Sequence, residues 1–216
     1  VSIPSYVKRL KSYLEKKHQV IFSGPPGTGK TRLAKQLAIH LCFGEGDQGW
    51  TEDSQEIEQY QNKLEQACRL KLLVFHPSYE YSTFIGGMAI NGEDDNQKPF
   101  VEKDGHFIVM AKEAREHPEQ KYVLIIDEIN RGNLPKLFGE LIYGLEYRNS
   151  SIQLSYTGWK KTVSKWLAFQ IPNNLIIIGT MNSADQSVAP LDVAIRRRFG
   201  FYRVLPKANL ISTNPQ

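Results

Sequence analysis

Gly24–Thr31 reads GPPGTGKT. The octet follows an apolar run, Gln19–Ser23, and opens Lys30–Leu41, where Leu33, Leu37 and Leu41 recur at every fourth residue. That spacing predicts a helix with one apolar stripe. A strand, a glycine-rich turn and a helix in direct succession are the context that G-x-x-x-x-G-K-[ST] needs. The glycines let backbone N–H groups converge on phosphate oxygens, and the helix N-terminus adds partial positive charge. Gly24, Pro25, Pro26, Gly27, Thr28 and Gly29 would form the cradle, with Lys30, Thr31 and Arg32 entering the helix. Lys30 would reach the β- and γ-phosphates, and the Thr31 hydroxyl would sit on Mg2+.

Apolar runs continue the pattern. Leu70–His76, Tyr122–Asp127, Leu175–Met181 and Phe199–Leu205 read as further strands. Ile57–Leu70, Phe107–Glu116 and Leu134–Leu145 read as helices between them. The third and fourth strands are almost wholly apolar, as expected when both faces are covered. Alternating strands and helices predict an α/β three-layer αβα sandwich around a central, mainly parallel five-stranded sheet. Met88–Asp104 reads as an inserted hairpin or mobile loop, Ser150–Gln170 as an inserted hairpin on the surface, and Gly44–Glu56 as a solvated loop. Residues 1–206 are then one nucleotide-hydrolysing core and 207–216 a tail.

Composition narrows the compartment. No apolar run approaches a membrane span and the N-terminus has no signal core, so a cytoplasmic protein without membrane contact is expected. Cys42 and Cys68 read as free thiols. A net charge of +4 is too weak to argue nucleic-acid binding.

VLIIDEINRGN sets Asp127 and Glu128 at the tip of the third strand, where ligands of open α/β sheets bind. Asp127 would hold Mg2+, directly or through water, and Glu128 would deprotonate the attacking water. The fourth run ends in IGTMNSADQS. With that strand between the first and third, Asn182 faces the γ-phosphate or the water. Asp185 would fix Asn182, bond a water, or hold a basic residue.

Together these motifs and LDVAIRRRF look like an AAA+ ATPase-type module, and the polar strand tip resembles the McrB family. That family carries Met-Asn-Thr-Ala-Asp-Arg-Ser; here the stretch is Met181–Ser187 with Gln186 in place of the arginine. FHPSYEYSTFIGG, KDG, KYVLIIDEINRGNLPKLFGEL and LDVAIRRRFGF are similar too. The resemblance implies a GTP-hydrolysing motor, ATP being possible, in a homo-oligomeric ring that is hexameric at full length. It implies an McrC-like nuclease subunit as partner and DNA contact through a separate domain outside this chain. It favours Arg198 or Arg197 as the arginine that reaches a neighbour's γ-phosphate, the other holding a local network. AAA+ modules continue into a small helical lid; by this reading the lid is absent, or the chain is an excised core. A MoxR-type ATP-dependent remodelling chaperone and a non-catalytic nucleotide-binding scaffold are the competing readings. Phe75–Gly87, with Tyr79, Tyr81 and Phe84, would serve coupling between subunits or form a buried mini-core.

Overall fold

The computed structural model describes residues 3–43, 50–90, 100–155, 169–184 and 191–206. Asp185, Gln186 and the tail from 207 lie outside the described residues. Helix α1 (Ser5–Lys17) leads into β1 (Gln19–Gly24), then α2 (Lys30–Phe43), α3 (Ser54–Gln66) and β2 (Leu70–Val74). The short α4 (Tyr81–Phe84) precedes β3 (Gly86–Ile90) and β4 (Phe100–Asp104), followed by α5 (His106–Glu116) and β5 (Tyr122–Asp127). After a 3-10 turn, Ile129–Arg131, come α6 (Leu134–Phe138), α7 (Leu141–Glu146), β6 (Leu175–Asn182), α8 (Val193–Arg198) and β7 (Gly200–Arg203).

The five-stranded sheet has the order β2-β5-β6-β1-β7. Every pairing in it is parallel. The expected neighbours are therefore present: β6 lies between β1 and β5, and β7 flanks β1. Successive side chains leave opposite faces of a strand. Leu124, Ile126 and Ile177 enter one core with α4 to α8, while Val123, Ile125, Ile176 and Ile178 enter another beneath α1, α2 and α3. Helices thus cover both faces, which is why the central strands lack polar alternation.

Several local expectations change. Helix α1 buries Val7, Leu10 and Leu14 and stops at His18, whose φ is 60°. Within Gly44–Glu56, read as a solvated loop, Trp50 and Thr51 are buried. Gln36 Nε2 donates to Thr51 O at 2.7 Å, and Asp53 caps α3 by accepting from Gln55 N and Glu56 N. The stretch Leu134–Leu145 is two helices, because Gly139 has φ 47° and breaks the run.

The Met88–Asp104 hairpin is present as β3 paired antiparallel with β4, residues 91–99 lying outside the described part. The second insertion is rooted rather than superficial. Ile152 bridges Phe169, and Ile152, Leu154 and Ile171 are buried. In Phe75–Gly87 the mini-core alternative matches the packing. The Phe84 ring sits 5.4 Å from Phe75, 5.5 Å from Phe107 and 5.1 Å from Phe138, centre to centre. Tyr81 is drawn inward too, its hydroxyl donating to Glu140 Oε1 at 2.7 Å.

Candidate active site

The tips of β5, β6 and β1 stand side by side, so the three segments singled out in the sequence converge. Gly27 and Gly29 have φ of 76° and 80°, values that L side chains rarely adopt. Gly24 is glycine for space: a Cβ there would lie 2.2 Å from Val204 O, because Val204 N donates to Ser23 O at 2.8 Å beyond β7. Thr28 Oγ1 staples the turn by donating to Pro25 O at 2.9 Å. Lys30 is the first residue of α2, and its Nζ donates to Pro25 O at 2.7 Å. That bond keeps the ammonium against the loop, in reach of anything the loop N–H groups hold. Arg32 is directed elsewhere; its guanidinium donates to Glu52 O and fastens the 50–53 segment to α2.

Asp127 ends β5 facing α2. Its Oδ1 accepts from Thr31 Oγ1 at 2.8 Å and from Thr180 Oγ1. A hydroxyl and a carboxylate this close are hard oxygen donors of the kind Mg2+ takes, with phosphate and water completing the shell. Groups of three or more His, Cys, Asp or Glu suited to a metal are absent among the described residues.

Glu128 adopts a left-handed conformation, φ 52°. Its backbone N–H meets Thr180 Oγ1 at 3.4 Å, and its Oε2 lies 3.2 Å from Arg131 Nε. Asn182 is the register partner of Gly24, and Ser183 N donates to Gly24 O at 3.1 Å. The β6 tip is therefore bonded to the first residue of the phosphate loop. Asn182 Oδ1 accepts from Ala184 N at 3.0 Å, a local turn of the kind asparagine makes.

Two participants escaped the sequence reading. Thr180 links Asp127 to Glu128, and its signal was a lone hydroxyl in an otherwise apolar strand. Arg131 pairs with Glu128 across one turn of 3-10 helix.

The arginine run divides. Arg198 is half-buried within its own chain: Nη1 donates to Ala194 O at 2.8 Å, and Nη2 pairs with Glu146 Oε2 at 2.8 Å. Arg196 and Arg197 are exposed.

A family profile, AAA domain (dynein-related subfamily), matches residues 19–199, from the start of β1 to the residue after α8. The chain belongs to this AAA family. Among curated relatives, the AAA module is 39% identical over 209 residues to the Type IV methyl-directed restriction enzyme EcoKMcrB subunit of Escherichia coli strain K12, covering 95% of this chain and 38% of that one. It is 28% identical over 211 residues to the Type II restriction enzyme BsuMI component YdiS of Bacillus subtilis strain 168, covering 84% of this chain and 55% of that one. The resemblance to the McrB family thus extends over nearly the whole module. The module spans about two fifths and about half the lengths of these relatives. Among the described residues no helix is long and apolar enough to cross a membrane.

Proposed function

We propose that the module hydrolyses a nucleoside triphosphate, GTP by preference with ATP as the alternative, as the cytoplasmic motor of a modification-dependent restriction system. The observation that carries hydrolysis is the Thr31–Asp127 contact of 2.8 Å, made where the β6 tip is bonded to the phosphate loop. It supports a cation site at Thr31 and Asp127, with Glu128 read as the general base and Asn182 as the amide donor beside it. The role in restriction, with a partner subunit, is supported by the two relatives, one named a restriction-enzyme subunit and the other a restriction-enzyme component; the McrC-like nuclease and the ring follow from the likeness of the motifs to the McrB family. The relatives' names also favour this reading over a remodelling chaperone.

In this mechanism Lys30 offsets phosphate charge as the loop N–H groups bind the oxygens. Thr31 and Asp127 would hold Mg2+, which when bound neutralises charge building on the bridging and terminal phosphate oxygens. Asn182 spends Oδ1 on Ala184 N, so its Nδ2 is the end that orients the γ-phosphate or the water. Glu128 accepts the proton of the attacking water. Arg131, at 3.2 Å, orients that carboxylate. Asp185 is assigned to steady Asn182. Because Arg198 is engaged within its own chain, Arg197 is the arginine that reaches the neighbouring copy.

Hydrolysis of GTP and ATP measured across a protein concentration series tests the reading. Specific activity should climb with concentration. Glu128→Gln should bind nucleotide and lose about 10²- to 10⁴-fold in turnover. Lys30→Ala and Arg197→Ala should each be inactive alone and recover part of the rate when mixed. A flat concentration profile with no recovery on mixing means that one chain holds the complete site.

A further inference from the structure

Gln19 and Arg148 lie outside every motif above, yet they are among the most deeply buried polar residues, at 3% and 7% exposure. Gln19 Nε2 donates to Leu145 O and to Arg198 O, both at 2.8 Å. Its Oε1 accepts from Arg148 Nη2 at 2.9 Å. Arg148 Nη1 in turn donates to Pro172 O at 2.8 Å and Leu175 O at 2.6 Å. The two carbonyls that Gln19 holds belong to the last turns of α7 and α8, where helices leave acceptors unsatisfied. One amide therefore gathers two helix ends onto the first residue of β1. The Arg198–Glu146 pair at 2.8 Å closes the same junction from outside.

A guanidinium buried among carbonyls and an amide is costly, and among the described residues no carboxylate pairs with it. Burial pulls the Arg148 pKa down to about 9. A neutral core could join two helices more cheaply. What an apolar contact lacks is direction, and direction matters for the residue carried next to the junction. Helix α8 is six residues long and buries only Ile195 among them, so packing alone leaves its orientation weakly held. Its C-terminal turn is set by the bond from Gln19, and Arg197 is the residue before the one whose carbonyl Gln19 grips.

We propose that Gln19 and Arg148 are positioning residues that aim Arg197 at the phosphate site of the neighbouring copy. The proposal rests on the reading of Arg197 as the arginine acting between copies. A positively charged group stabilises a transition state only when held at the right place, and small displacements cost large factors in rate. Arg148 also grips Pro172 and Leu175, between the hairpin root and β6, so the same junction links the second insertion to the arginine helix.

Gln19→Glu separates aiming from folding. The carboxylate can still accept from Arg148, and it compensates the buried charge, but it can no longer donate to Leu145 O or Arg198 O. The variant should melt near wild type, bind nucleotide with unchanged Kd and keep KM. Its kcat at high protein concentration should fall at least about ten-fold. Mixing with Lys30→Ala should restore part of that rate, because the Lys30→Ala chain brings an intact junction and its own Arg197. If Gln19→Glu does not fold, Arg148→Lys, which keeps the charge but lacks the forked guanidinium, is read in the same way. Wild-type kcat in the foldable variant overturns the proposal, as does a loss that mixing fails to restore while the Arg197→Ala and Lys30→Ala pair recovers. Failure of that control pair overturns the reading of Arg197 itself, and with it this proposal.

Discussion

His18, Cys68 and Glu128 have positive φ without being glycine, and each stands where one element must end and another begin. His18 closes α1 one residue before β1. Burial first, then the charges of Arg148 and Lys121, lower its pKa from 6.5 to about 4. The unfolded chain therefore takes up a proton between pH 6.5 and 4 that the folded chain refuses. His18 contributes stability that is complete above its unfolded pKa and is lost as pH falls through the folded one. Asparagine tolerates the same backbone conformation without titrating in this range. Thermal melts of wild type and His18→Asn at pH 7.5 and pH 5 should show the wild type losing more on acidification. Equal losses would place the acid sensitivity elsewhere. The residue scale is also where the sequence was least legible. Thr180 bonds Asp127 from 53 positions away, and Arg148 bonds Gln19 from 129 away. Such pairs leave no local pattern. The phosphate loop and the Asp127–Glu128 pair were legible because their chemistry is contiguous in the chain.

Among the elements, the strands were readable because a covered parallel strand is apolar throughout, and Tyr122–Asp127 was delimited to the residue. Helix α1 was hidden because Lys8, Arg9 and Lys11 dilute its stripe of Val7, Leu10 and Leu14. The break between α6 and α7 was hidden because glycine within an apolar-periodic run does not announce a turn. The tiny α4 shows how an element too short to be stable alone is held. Its four residues place Phe84, fully buried, among Phe75, Tyr79, Phe107 and Phe138. Phe84→Ala should cost about 3–5 kcal/mol, the usual range for emptying a large aromatic site. Urea titration reads this directly, and a change under about 1 kcal/mol would mean that the loop is not part of the folded core. Since the same ring packs on α6, which follows the Glu128 turn, some loss of turnover should accompany the loss of stability.

Across the whole molecule, two separate cores flank one sheet, and the site lies at the tips of its central strands. The core under α1, α2 and α3 includes Cys42 near the end of α2. Its Sγ lies 3.4 Å from Lys121 O, and burial raises its thiol pKa to about 12. Cys68, between α3 and β2, is exposed. These are the two cysteines of the chain. Nature has thus supplied a chemical dosimeter of the folded state. A maleimide reagent in excess should label one thiol per folded chain promptly, since thiolate character and access decide the rate. The second label should arrive only as fast as that core opens, and denaturant should release it at once. Counting labels by mass then reports what fraction of molecules has come undone, without a spectroscopic probe, a tag or a change to any residue.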